Sequence, residues 1–172
     1  AYPVQVTGIS GTIASIAAGE SYGLAVTSDG RLWAWGAGGY GQLATGDRNA
    51  RTAAVEVAGL PGVGVRAVAA GGGHALALAN DGTVWAWGDN TSGQLGNGTT
   101  TDSLTPIRAS ALSNILAISA HQRVNLALDA SGRVWAWGRG ARGSLGDGTT
   151  NDRTPPFIVP GDTRKINVRA PN

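Results

Sequence analysis

The tetrapeptide Trp-Ala-Trp-Gly occurs three times, at Trp33–Gly36, Trp85–Gly88 and Trp135–Gly138, spaced 52 and then 50 residues apart. The flanks keep the same register: Leu24, Leu76 and Leu126; Gly30, Gly82 and Gly132; Leu43, Leu95 and Leu145. A period of about 50 residues means one supersecondary unit written three times, and such a unit buries its apolar faces only by stacking on its neighbours. The two-residue difference falls after Leu95, in the connection to the third copy.

Each copy reads as four short strands. The first is expected at Ile13–Ala18, Val65–Ala70 and Leu116–Ala120, and the second at Tyr22–Thr27, Ala75–Ala79 and Asn125–Asp129. The third is expected at Leu32–Trp35, Val84–Trp87 and Val134–Trp137, and the fourth at Ala54–Val57, Ile107–Ala109 and Phe157–Val159. Asp29-Gly30, Asp81-Gly82 and Ser131-Gly132 supply the positive φ of tight hairpins between the second and third strands. Composition would also allow a helix over Arg108–Ala120, but the matching stretch Gly59–Val65 carries Gly-Leu-Pro-Gly.

Alternation along the strands places Trp33 and Trp35 on one face and Leu32 and Ala34 on the other; Leu76 and Leu78 likewise oppose Ala75 and Ala77. Neither face is polar, so both must be covered. One is bulky and the other mostly small, which suits radial stacking of large on small. The expected fold is therefore all-β: three four-stranded antiparallel blades of a β-propeller, partial or completed by other copies or segments. Residues 1–172 are read as one domain, with repeats near 11–62, 63–112 and 113–160. Pro3–Val6, within residues 1–10, is read as the last strand of a preceding blade. Lys165–Arg169, within 161–172, is read as the start of a next one. Three blades do not close a ring, which typically takes about four to eight. The absence of methionine at position 1 fits the same expectation of a piece of a longer array, or a unit that continues into other copies of itself.

These residues resemble the regulator-of-chromosome-condensation repeat family. The resemblance is carried by Ala70-Gly71-Gly72-Gly73-His74, Asp81-Gly82, Trp87-Gly88, Gly93-Gln94-Leu95-Gly96 and Pro106 of the second copy. Gly41-Gln42-Leu43 and Gly143-Ser144-Leu145-Gly146 match it in the other two. It implies a β-propeller, usually of about seven blades. The copies depart from it at Tyr22 and Val124, which stand where the second copy has His74, and at Ala54, which replaces the proline. The family's ultraviolet-B photoreceptors carry their light-sensing tryptophan in a Gly-Trp-Arg-His-Thr motif; no copy here has it.

Composition narrows the chemistry. There is no cysteine, hence no disulfide, thiol nucleophile or cysteine-ligated zinc. The only histidines are His74 and His121. No apolar run approaches the ~20 residues of a membrane helix. One lysine and twelve arginines leave a net charge of only +2, too small to imply a nucleic-acid partner. Gly96–Asp102 lacks the Lys-Ser/Thr of a phosphate loop and reads as a turn. The six tryptophans recur in register and read as core. Nothing marks a nucleophile elbow or a triad. The chain is accordingly read as a non-enzyme with no cofactor and no metal.

Positions that differ between copies are free to carry specificity, and they fall in loops at strand ends. The candidate partner-binding residues are Glu20, Tyr22, Tyr40, Arg48, His74, Asp89, Asn90, Arg123, Arg139 and Arg142. His74 has a second reading, as a structural residue bonded to the backbone of its own blade. The expected function is a protein-interaction or assembly module. Its expected partners are proteins, including other copies of itself or the remainder of a longer propeller. The alternatives are guanine-nucleotide exchange on a small GTPase, as the family's namesake implies, and inhibition of a secreted enzyme. The cysteine-free, lysine-poor composition suggests an extracellular or periplasmic protein, the alternative being a cytoplasmic fragment.

Overall fold

The computed structural model describes residues 2–60 and 62–161. It contains three antiparallel sheets of four strands each. The first blade is β1 (Ile13–Ala18), β2 (Tyr22–Thr27), β3 (Leu32–Gly36) and β4 (Arg51–Glu56). The second is β5 (Val65–Ala70), β6 (His74–Ala79), β7 (Val84–Gly88) and β8 (Ser103–Arg108). The third is β9 (Ile115–His121), β10 (Val124–Asp129), β11 (Val134–Gly138) and β12 (Arg153–Ile158). Within each sheet the strands follow chain order, as in a meander, and β5 lies against both β1 and β9. The segment that composition would allow as a helix holds part of β8 and most of β9.

The outer strands begin three or four residues earlier than expected. Arg51, Ser103 and Arg153 pair with Gly36, Gly88 and Gly138, where the register shifts by a bulge. An edge strand keeps one side in water, so its polar first half gives no hydrophobic signal. Pro106 is tolerated there because an edge strand needs only half of its N–H groups. Residues 2–12 contain no strand. The Ala54 N–H instead donates to the Thr7 carbonyl at 2.9 Å, laying this segment beside β4 of the first blade. The strand expected at Lys165–Arg169 lies outside the described residues.

Two cores lie between the blades, each joining unlike faces. Leu24, Val26 and Leu32 of the first blade pack on Val68, Ala75 and Ala77 of the second. Leu76, Leu78 and Val84 of the second pack on Ile115, Ala127 and Trp137 of the third. A polar bond recurs within each contact. The Trp87 indole N–H donates to the Gln42 carbonyl at 2.8 Å, and that of Trp137 to the Gln94 carbonyl at 2.9 Å. The middle blade is covered on both faces, whereas the outward faces of the first and third are open.

Candidate functional site

The β1–β2, β5–β6 and β9–β10 turns leave the blades at the same end as the long loops following β3, β7 and β11. A polar pocket of about 550 Å³ lies among them. Six of the ten candidate residues line it: Glu20 and Tyr40 from the first blade, Asp89 from the second, and Arg123, Arg139 and Arg142 from the third. Positions scattered over 120 residues of sequence are thereby brought to one concavity by the repeat alone.

The frame of the pocket is backbone. The Gly72 N–H donates to the Gln122 carbonyl at 2.9 Å, tying the second turn to the third. Gln122 has φ 50°, a left-handed conformation that closes the third turn. The Tyr40 ring lies over Gly73, where a Cβ would stand 2.8 Å from the ring carbon Cδ2. Only glycine leaves that space. The Arg139 N–H donates to the Arg123 carbonyl at 2.9 Å, and the Gly140 N–H to Asp152 at 2.9 Å.

The charges are unevenly matched. Arg123 pairs through Nε with Asp89 at 3.1 Å, and Asp89 is only 4% exposed. Among the described residues, Arg139 and Arg142 have no carboxylate within 4.0 Å. Both are exposed, and Arg142 is held at φ 60°. Three guanidinium groups thus face two carboxylates, one of which is already engaged. The arrangement can hold a carboxylate or another small anion by forked hydrogen bonds.

The other four candidates lie elsewhere. Tyr22 is buried; burial pushes its hydroxyl pKa up, and it donates to the carbonyls of Gly71 and His74 in the next blade. Asn90 is buried and knits its own loop, donating to the carbonyls of Thr99 at 3.0 Å and Thr101 at 2.9 Å and accepting from the Leu95 N–H. His74 is buried and reaches Asn125 of the third blade, not the backbone of its own. These three are scaffold residues, because the hydrogen bonds their side chains make go to neighbouring backbone and amide groups instead of solvent, although the buried His74 Nδ1 has no partner among the described residues. Arg48 is exposed but turned away from the pocket, bonded to the Gly39 carbonyl at 2.8 Å and to Asp102 at 3.1 Å. Gln122, which begins one of the stretches that differ between the copies, and Ser144 also line the pocket, although neither is among the ten candidates. Their signal was present in the sequence, since both differ from the matching residues of the other copies.

The sequence profile of the regulator of chromosome condensation (RCC1) repeat matches residues 29–78, 81–128 and 131–170, and a second profile of that repeat matches 13–42 and 65–94. Human E3 ubiquitin-protein ligase HERC2 is 42% identical over 96 residues, which are 55% of this chain and 2% of that protein. The structure of human WBSCR16 superposes with a TM-score of 0.82 at 26% identity, covering 91% of this chain and 40% of that one. Prp20p from Saccharomyces cerevisiae, reported with its binding to Gsp1p and histones, superposes with a TM-score of 0.77 at 24% identity over 85% of this chain and 38% of its own. The chain spans a minor part of the length of these relatives. With three matched repeats across nearly all of its sequence, it belongs to the regulator of chromosome condensation (RCC1) repeat family.

Proposed function

We propose that this chain is a non-enzymatic protein-interaction module whose loop-end pocket receives an acidic segment of a partner protein. The observation that carries this reading is the convergence of Arg123, Arg139 and Arg142 beside Tyr40 in one pocket, with two of the arginines lacking an acidic partner among the described residues. Rigid aromatic and arginine anchors in a concave, partly desolvated setting are the usual carriers of binding energy. The binding of Gsp1p and histones reported for Prp20p is in keeping with an interaction role for such propellers. We also propose that the chain acts as an assembly module, a reading supported by the exposed apolar residues on the outer faces of the first and third blades.

Fluorescence anisotropy with an Asp/Glu-rich peptide tests the pocket. Binding should weaken with salt, and Arg139→Ala with Arg142→Ala should cost roughly tenfold or more, about 1.4 kcal/mol. Equal binding of a peptide with Gln at every acidic position would sink the reading. Nucleotide exchange on a small GTPase is the second reading, favoured by the structural likeness to Prp20p. Acceleration of nucleotide release by this chain would put that reading first.

A further inference from the structure

The two outer faces are unlike each other, and each matches one half of an interface already present inside the molecule. On the third blade, Leu126, Leu128 and Val134 are 41%, 38% and 41% exposed. Their counterparts in the second blade, Leu76, Leu78 and Val84, are at most 1% exposed because the third blade covers them. On the first blade, Ile13 and Ile16 are 43% and 73% exposed. Their counterparts Val65 and Val68 are 3% and 8% exposed beneath the first blade. The first blade thus lacks a leucine face, and the third lacks a face of small residues and tryptophan. A groove of about 900 Å³, lined by Ile13, Ile16, Ala25 and Trp35, marks the first vacancy.

The polar links are unmade at the same two places. Trp87 and Trp137 each donate to the carbonyl of the Gly-x-Leu loop in the preceding blade, at Gln42 and Gln94. Trp35 is their counterpart and makes no such bond among the described residues. The third loop presents the matching carbonyl at Ser144; because the acceptor is backbone, the change from Gln to Ser keeps it. A second link repeats as well. The Val65 N–H donates to the Gly30 carbonyl at 2.9 Å, and the Ile115 N–H to the Gly82 carbonyl at 3.1 Å. The corresponding groups on the open faces are the Ile13 N–H and the Gly132 carbonyl.

We infer that the third blade of one copy docks on the first blade of a second copy, in the register of the internal interfaces. Leu126 and Leu128 cover Ile13 and Ile16, and the Ser144 carbonyl accepts the Trp35 indole N–H. The contact is head to tail, so each pair retains one face of each kind, and growth continues as a ring or a filament. This inference rests on the assembly half of the proposed function and makes no use of the loop-end pocket.

Light scattering after size exclusion, over a concentration series of the full chain, is the test. The wild type should rise from 17.3 kDa toward whole multiples of it. Ile16→Lys and Leu128→Lys alter exposed side chains on opposite faces, so each should remain folded and monomeric. Their equimolar mixture should regain a dimer and stop there, because one intact face from each variant pairs and both remaining faces are blocked. Trp35→Phe should weaken wild-type association roughly fivefold by removing one hydrogen-bond donor; no change would overturn the register. A wild type that stays monomeric overturns both the pairing and the assembly reading. Wild-type association that neither lysine variant reduces overturns the pairing alone and assigns assembly to another surface. A mixture that fails to recover a dimer from two folded variants overturns the head-to-tail contact.

Discussion

At the residue scale, the position held by Tyr22, His74 and Val124 in the three copies shows how one site in a repeat is put to different uses. Tyr22 reaches forward to backbone carbonyls of the second blade. His74 reaches forward to a side chain. Its Nε2 lies 2.7 Å from Asn125 Oδ1, while Asn125 Nδ2 donates to the Gln94 carbonyl at 2.8 Å. Because the amide nitrogen is used on Gln94, the Asn125 oxygen accepts, and His74 carries its proton on Nε2. The imidazole is completely buried, and burial pushes its pKa below the ordinary value, against the opposing pull of Asn125 and the Asp89 charge. The sign of the pH effect follows. Below an ordinary histidine pKa of about 6.5, the unfolded chain takes up a proton that the folded chain resists. Stability is therefore full above that value and falls as the solution is acidified through it. The urea midpoint should drop between pH of about 7 and about 5. His74→Tyr, which copies the first blade, should keep the fold and flatten that profile. An unchanged slope in the variant would remove His74 as its cause.

At the element scale, the second glycine-bearing signal of the repeat has a mechanical reason. Gly36, Gly88 and Gly138 end the Trp-Ala-Trp-Gly strands at φ near +100°, at the bulge where the outer strand begins. A Cβ at Gly88 would overlap the Gly73 carbonyl oxygen as well as strain the backbone. Gly98 also has positive φ, +84°, but nothing lies within 4 Å of its Cβ position. Gly98→Ala should therefore cost about 1–2 kcal/mol, the left-handed penalty alone, and Gly88→Ala at least about 3 kcal/mol, since overlap adds to it. Chemical denaturation of the two variants reads the difference; equal losses would remove steric contact as the reason for Trp-Gly. The inner three strands were legible because both of their faces are apolar and the turn between the second and third carries Asp-Gly or Ser-Gly. The starts of the outer strands were not, because Arg51, Ser103 and Arg153 are polar edge residues fixed by the bulge rather than by burial. Comparing the copies pointed to the loops that form the pocket. It could not separate Asn90, buried in its own loop, from Arg139, exposed one position earlier in the matching loop, because both simply differ between copies.

At the scale of the whole molecule, stability should be graded from the middle outward. In a linear repeat array, each unit is held by its own pairing and by the interfaces with its neighbours. The second blade has two such interfaces and the outer blades have one each. Every residue of β6 is buried, whereas β10 alternates between buried and exposed, with Leu126 and Leu128 facing outward. The open face leaves the central strand β10 of the third blade closer to solvent, which favours local opening, whereas β2 of the first blade is buried at every residue. Hydrogen exchange on dilute protein should thus be slowest in β6 and β7 and faster in β9 and β10, with β1 and β2 between or beside them. The same experiment at high concentration separates this gradient from intrinsic strand weakness. If copies pair through the outer blades, protection should rise in β10 and β1 and stay unchanged in β6, which has no open face to cover. Uniform protection at both concentrations would mean that the three blades unfold as one unit and that the missing interfaces have no measurable effect on opening.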